Sequence, residues 1–168
     1  NDLKIIIKVI DKLKQNNKRK FRDKSIILIG FAGGFRRSEL VNIEIDDVEF
    51  VNEGVKIFIK RSKTDQSGEG MIKAIPYFEN KLYCPVNSLK KWLNISEIKS
   101  GKIFDISDKS VALIIKKYAS LAGLDPTKYG GHSLRSGFAT SAAESGAEER
   151  NIMAMTGHKT TQMVRRYI

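Results

Sequence analysis

Four short stretches of this 168-residue chain, and a tyrosine near its end, carry side chains able to act on a phosphate ester. In Gly34-Phe35-Arg36-Arg37-Ser38-Glu39-Leu40, a glycine precedes two arginines where a helix would begin. Free backbone N–H groups and the positive end of the helix dipole attract anions at such a place, although a solvated basic turn accounts for the same residues. Lys63 lies in the polar run Lys60-Arg61-Ser62-Lys63-Thr64. A loop lysine can reach a leaving oxygen, but most exposed lysines do nothing specific. In His132-Ser133-Leu134-Arg135, the histidine and arginine are three apart, so on a helix they share a face and can address one anion. Guanidinium is permanently charged and offers paired donors to phosphate oxygens; taken singly, H-x-x-R is also a chance pattern. Gly157-His158 is followed nine residues later by Tyr167. With a free pKa of about 10, a phenol attacks only when a base and cations stand beside it. Tyrosines at helix ends otherwise serve packing.

The elements that must position these groups can be read from periodicity. Ile5, Ile6, Val9, Ile10 and Leu13 recur at helical spacing, predicting an amphipathic helix over Asp2–Gln15. A basic loop is expected over Asn16–Arg22. The apolar run Ser25–Phe31 then predicts a buried helix that ends at Gly33 and Gly34. A short helix is expected over Arg37–Asn42. Val55, Ile57 and Ile59 alternate with Lys56, Phe58 and Lys60 after the turn signal Asn52-Glu53-Gly54, which predicts a hairpin. The polar loop Ser62–Gly70 leads to a further strand, Met71–Pro76. Helices are expected over Pro85–Leu93, with proline in the first turn, and over Asp108–Ala122, closed by Gly123. In the second of these, Val111, Leu113, Ile114, Tyr118 and Leu121 should face a core. Three more are expected over His132–Ser145, Glu148–Thr156 and Thr160–Ile168. The fold class is thus mainly α with a small, two- to three-stranded antiparallel sheet, lacking βαβ alternation. No repeat or linker divides it, and one domain over 1–168 is expected. Trp92 and Cys84 are expected to be structural.

Composition narrows the chemistry. Thirty Lys and Arg against nineteen Asp and Glu give a net charge of +11. Such an excess suits a polyanionic partner, since phosphate neutralisation with counterion release drives non-specific nucleic-acid binding, while a Lys-rich surface kept for solubility would look the same. No apolar run is long enough to span a bilayer, no secretory signal is recognisable, and a single cysteine allows no internal disulfide. An intracellular, cytoplasmic protein is expected. Two histidines and one cysteine fall short of the four ligands of a structural Cys/His zinc site, and no G-K-[ST] follows the glycines as a nucleotide-binding P-loop requires.

Each stretch is weak by itself, but their order is specific. Gly-x-Arg-x-Ser-Glu-Leu, then Lys-Thr after a hairpin, then His-x-Leu-Arg, then Gly-His, then Tyr nine residues on resemble the tyrosine recombinase (phage integrase) family from Arg36 to Tyr167. The resemblance implies the family's catalytic-domain fold and a DNA strand-exchange activity that cleaves and religates through a 3′-phosphotyrosyl intermediate. It implies roles residue by residue. Arg36 and Arg135 would stabilise charge on the phosphate and His158 would hydrogen-bond it. Lys63 would protonate the leaving 5′-oxygen, His132 would assist the tyrosine proton, Tyr167 would be the nucleophile, and Glu39 would support the site. No cofactor or metal is implied. Double-stranded DNA and other recombinase protomers, in a tetrameric synapse, are the implied partners, with no membrane. Gly130-Gly131 before His132 and Ser136-Gly137 after Arg135 depart from the commonest family residues. An N-terminal clamping domain and a C-terminal tail, usual in the family, are expected to be missing from this stretch. Two other activities share these features: relaxation of supercoils by a type IB topoisomerase, and DNA binding by an inactive basic module.

Overall fold

A 17-residue helix organises the molecule. The computed structural model describes residues 2–14, 17–60 and 70–129. Its element order is α1 (Asp2–Lys12), α2 (Asn17–Gly33), α3 (Arg37–Val41), β1 (Val48–Val51), β2 (Gly54–Ile59), β3 (Met71–Pro76), α4 (Pro85–Ser96) and α5 (Asp108–Leu121). Single 3-10 turns at Ile45–Asp47, Lys81–Tyr83 and Pro126–Lys128 join them. Ile26, Ile27, Leu28 and Ile29 of α2 are all buried, so the second half of this helix is apolar around its circumference, as a helix packed on every side must be. It packs against α1, α3, α4, α5 and β3. Three antiparallel strands lie in the order β1-β2-β3. The register sets Ile57 opposite both Val48 and Lys73, and Val55 opposite Phe50 and Ile75. Those residues therefore share the sheet face turned to the helices. The fold is mainly α with a three-stranded antiparallel sheet, as expected.

Two sequence expectations need correction. The basic stretch expected to be a loop over Asn16–Arg22 is helical from Asn17 onward, as the first turns of α2. Its lysines conceal the helix because they serve the preceding one. Lys20 Nζ donates to the carbonyls of Asp11 (2.9 Å) and Leu13 (3.2 Å), at the C-terminal end of α1, and Lys24 Nζ lies 3.0 Å from the Asp11 carboxylate. Cations are favoured there by the dipole and by the unsatisfied carbonyls. The second correction concerns α5. Its inward stripe is Val111, Ile114, Ile115, Tyr118 and Ala119, whereas Leu113 (66% exposed) and Leu121 (54%) face away from the described core. At about 100° per residue, Leu113 lies on the far side of the helix from Val111.

Other expectations hold. Trp92 is buried and its indole N–H donates to the Ile103 carbonyl at 2.8 Å. Cys84 is wholly buried, its Sγ accepting from the Phe78 N–H at 3.3 Å. A buried polar knot ties α2 to α5. Asp23 accepts from Arg22 Nε and Nη2, each at 3.0 Å, and from the Tyr118 hydroxyl at 2.6 Å. A carboxylate can be buried here because its oxygens are matched by a cation and a donor. Burial first, then the bond to Asp23, holds the Tyr118 phenol in its neutral form far above the usual tyrosine range. The helices expected over 132–145, 148–156 and 160–168 lie outside the described residues. Among the described residues, no helix is long and apolar enough to cross a membrane.

Candidate active site

The arginine turn is built by the way α2 stops. Gly34 has φ 62°, the left-handed conformation in which glycine meets no Cβ penalty. Around it, Phe35 N–H donates to the Gly30 carbonyl (3.1 Å) and Gly34 N–H approaches the Phe31 carbonyl (3.4 Å), the paired bonds of a Schellman motif. The chain reverses, Phe35 drops fully into the core, and Arg36 emerges exposed as the N-cap of α3. Gly33 is required by the same fold-back, because a Cβ there would stand 2.3 Å from the Phe35 ring.

Glu39 acts on the backbone. Its Oε1 accepts from the Arg36 N–H at 2.8 Å, while Leu40 N–H donates to the Arg36 carbonyl at 3.0 Å. This is one half of a capping box; the reciprocal half is missing because a guanidinium has no acceptor. The carboxylate is thus spent on the main chain. Among the described residues the Arg36 guanidinium forms no ion pair. Leu40 and Val41 bury the other side of α3, which packs on α5 and α2.

The sheet approaches this turn from below. Lys73 of β3 is buried. Its Nζ donates to the carbonyls of Gly33 (2.5 Å) and Gly34 (3.2 Å) and lies 5.0 Å from the centre of the Phe35 ring. Sequence reasoning overlooked it. The available signal was register, since Lys73 stands opposite Ile57 on the inward face of the hairpin, where a charged residue must have partners. At the end of β2, Lys60 bonds the Glu44 carboxylate and lies 3.4 Å from Asp47. These contacts, with the bond to Glu44 the largest cause, raise the Lys60 pKa above its ordinary value. They hold the point from which the chain leaves β2 toward Lys63.

Of the candidate residues, the structure therefore describes Arg36 and Glu39 together. Lys63, His132, Arg135, His158 and Tyr167 lie outside the described residues. Among the described residues, no three His, Cys, Asp or Glu side chains gather as they would to hold a metal ion. A cavity of about 550 Å³, lined by Leu13, Lys18, Arg19, Lys20, Arg22, Trp92 and Tyr118, opens near the start of α2. At 1.5 Å rise per residue it is roughly 20 Å along the helix from the arginine turn, so it is not part of that site.

Comparison with known proteins decides the family. The model of the phage integrase family matches residues 1–168. The chain belongs to that family. It is 51% identical over 159 residues to an integrase/recombinase xerD homolog of Selenomonas ruminantium, an alignment covering 88% of this chain and 47% of the relative. To the tyrosine recombinase XerA of Pyrococcus horikoshii it is 31% identical over 166 residues, covering 97% of this chain and 54% of the relative. Among solved structures, the XerH site-specific recombinase in a pre-cleavage complex with its difH substrate superposes with a TM-score of 0.64 at 23% identity, covering 98% of this chain and 47% of that one. XerA recombinase gives 0.64 at 22%, covering 99% and 55%. These superpositions establish the shared fold. The chain spans about half the length of the relatives it matches.

Proposed function

We propose that this chain, as one catalytic domain over residues 1–168, cleaves and rejoins double-stranded DNA in site-specific recombination. The observation that carries the proposal is the family match over the full chain, joined to an Arg36 that the α2–α3 turn presents without a carboxylate partner among the described residues. Tyr167 attacks the scissile phosphorus, forming a 3′-phosphotyrosyl bond and expelling the 5′-oxygen, which takes a proton from Lys63. His132 receives the phenolic proton. Arg36 and Arg135 neutralise charge on the non-bridging oxygens as it builds, the positioning and electrostatic work that dominates phosphoryl transfer. His158 adds a hydrogen bond to the same phosphate. The 5′-hydroxyl of a partner strand then attacks the phosphotyrosine and restores the phenol. The energy of the broken bond is kept in the covalent link, so no nucleotide is consumed. Strand exchange requires further protomers, which we place in a tetrameric synapse, and chromosomal or mobile-element DNA puts the reaction in the cytoplasm.

The test is a nicked duplex built on the site that the full-length protein selects from a random-sequence pool. Wild-type protein should be trapped as a covalent adduct, and Tyr167→Phe should form none. An adduct formed by the Phe variant at the wild-type rate refutes the nucleophile. Relaxed circles without recombinant junctions would turn the reading to a topoisomerase, and binding with no adduct to an inactive module.

A further inference from the structure

We infer that Lys73 is a positioning residue for Arg36. The inference rests on the proposed reaction and assigns that site a support outside its motif residues. The argument begins from what is left over when α2 ends. The Schellman bonds satisfy the carbonyls of Gly30 and Phe31, but a helix leaves four carbonyls without intrahelical partners. One of these, on Gly33, receives the Lys73 ammonium at 2.5 Å, and the carbonyl of Gly34, just past the helix, receives it at 3.2 Å. The same ammonium lies over Phe35 at 5.0 Å from its ring centre, within the range of a cation–π contact. Lys73 thereby touches all three residues that precede Arg36. It is delivered from β3, whose pairing with β2 runs from Gly54↔Pro76 to Ile59↔Met71. The sheet thus holds the backbone entering Arg36, while Glu39 holds its N–H.

Packing alone does not call for lysine here. A methionine of similar length would fill the same inward position without desolvating a charge. What lysine adds is a cation at the negative end of α2, matched to carbonyls that the turn leaves exposed to it. Rotation of the Gly33–Gly34 peptides would swing Phe35 from the core and move the Arg36 Cα with it. Lys73 opposes that rotation. Its part is to hold the main chain that leads into Arg36, through the carbonyls of Gly33 and Gly34.

The experiment compares Lys73→Met, Lys73→Arg and Arg36→Ala in the full-length protein, by single-turnover adduct formation on the nicked duplex at saturating DNA and by DNA affinity. A displacement of about 1 Å in a transition-state contact costs up to about a hundredfold. Lys73→Met should therefore lower the saturating rate about 10- to 100-fold, with DNA affinity changed by less than about threefold, on that same scale. Lys73→Arg, which restores a cation with N–H donors, should return the rate to within about threefold of wild type. The deciding measurement is the double variant. If Lys73 acts through Arg36, Lys73→Met costs nothing further in the Arg36→Ala background. Multiplicative losses would show a role independent of Arg36 and overturn the inference, as would a wild-type rate in Lys73→Met or a loss confined to affinity. Should the Met variant fail to fold, Lys73→Gln, which keeps an N–H donor without the charge, carries the same cycle with the same outcomes. Absence of any adduct from wild-type protein would instead strike the proposed reaction. An adduct that needs Tyr167 but ignores Lys73 would strike this inference only.

Discussion

Replacing Glu39 separates a catalytic carboxylate from one that builds backbone. In the structure its Oε1 accepts from the Arg36 N–H at 2.8 Å, at the first turn of a five-residue helix. Glu39→Gln keeps an oxygen of the same reach and loses only charge beside the helix N-terminus, a loss of roughly 0.3–1 kcal/mol that falls with salt. Glu39→Ala removes the acceptor as well, and lost caps cost about 1–2 kcal/mol. Isolated helices shorter than about 12–15 residues do not sustain themselves, so α3 cannot spread that loss over neighbouring turns. It falls on the residue that leads into the helix, Arg36. For a domain of this size, 1 kcal/mol lowers the melting temperature by about 2–4 °C. Glu39→Ala should melt several degrees below wild type and Glu39→Gln about half as far, with the Gln variant converging on wild type as salt is raised. In single-turnover adduct formation, Gln should stay within about threefold of wild type and Ala should fall about 10- to 100-fold, the cost of a displaced guanidinium. Equal rates for Gln and Ala would refute the reasoning, because a lost charge and not a lost cap would then set the rate. Wild-type behaviour of Glu39→Ala would refute it too, by showing that Arg36 holds its place without the cap.

Two further outcomes follow from the buried contacts. Gly33→Ala drives a methyl to 2.3 Å from a Phe35 ring that is fully buried, so it should destabilise by about 1–3 kcal/mol, as overpacking does, and slow cleavage as well; denaturant unfolding at unchanged midpoint would contradict the Phe35 anchor. Alkaline pH should unfold the protein. Burial and the bond to Asp23 raise the Tyr118 pKa, and the bond to the Asp2 carboxylate raises that of Tyr129 to about 12. The unfolded chain releases these protons near pH 10 while the folded chain keeps them. Their contribution is therefore complete below about pH 10 and lost above it, that of Tyr129 as pH rises through about 12 and that of Tyr118 at still higher pH. Tyr118→Phe, which leaves Asp23 with Arg22 alone among its described partners, should cost about 1–3 kcal/mol at neutral pH and flatten that alkaline loss. A stability curve flat over that interval, or an unchanged slope in the Phe variant, would contradict the assignment.

What could be read before folding, and what could not, divides along physical lines. Strand β2 was legible because period-two alternation and an Asn-Glu-Gly turn are local signals, and it appears at Gly54–Ile59; β3, read as the short run after a polar loop, appears at Met71–Pro76. The end of α2 was legible because Gly33 and Gly34 meet a steric demand that few other residues meet. The beginning of α2 was not. Lys18, Arg19 and Lys20 bring no apolar periodicity, and the partner of Lys20 is the last turn of another helix. Leu113 and Leu121 were misassigned because hydrophobicity names a residue without naming its face. Arg36 and Glu39 were found as a motif, but spacing could not reveal that Glu39 spends its carboxylate on the Arg36 main chain. Lys73 was hidden for the opposite reason: its function is tertiary, and no motif of neighbouring residues marks it.

Arg36 lies where three separate supports meet, and each is lost by a different kind of change. The Schellman turn sets the direction in which the chain leaves α2 and depends on two glycines. The Glu39 cap sets where α3 begins and depends on one acceptor. Lys73 ties both to the sheet, and the Asp23–Tyr118 bond ties α2 to α5, on which α3 also packs. A flexible arginine would lose several rotors' worth of freedom on meeting a phosphate; one whose backbone is already held from helix, sheet and cap has only its side chain left to order. That is why the supports of this turn should affect rate more than affinity. In the proposed reaction, ground-state binding can draw on the many other cations of a chain with net charge +11, whereas the pentavalent phosphate would require this guanidinium in one place.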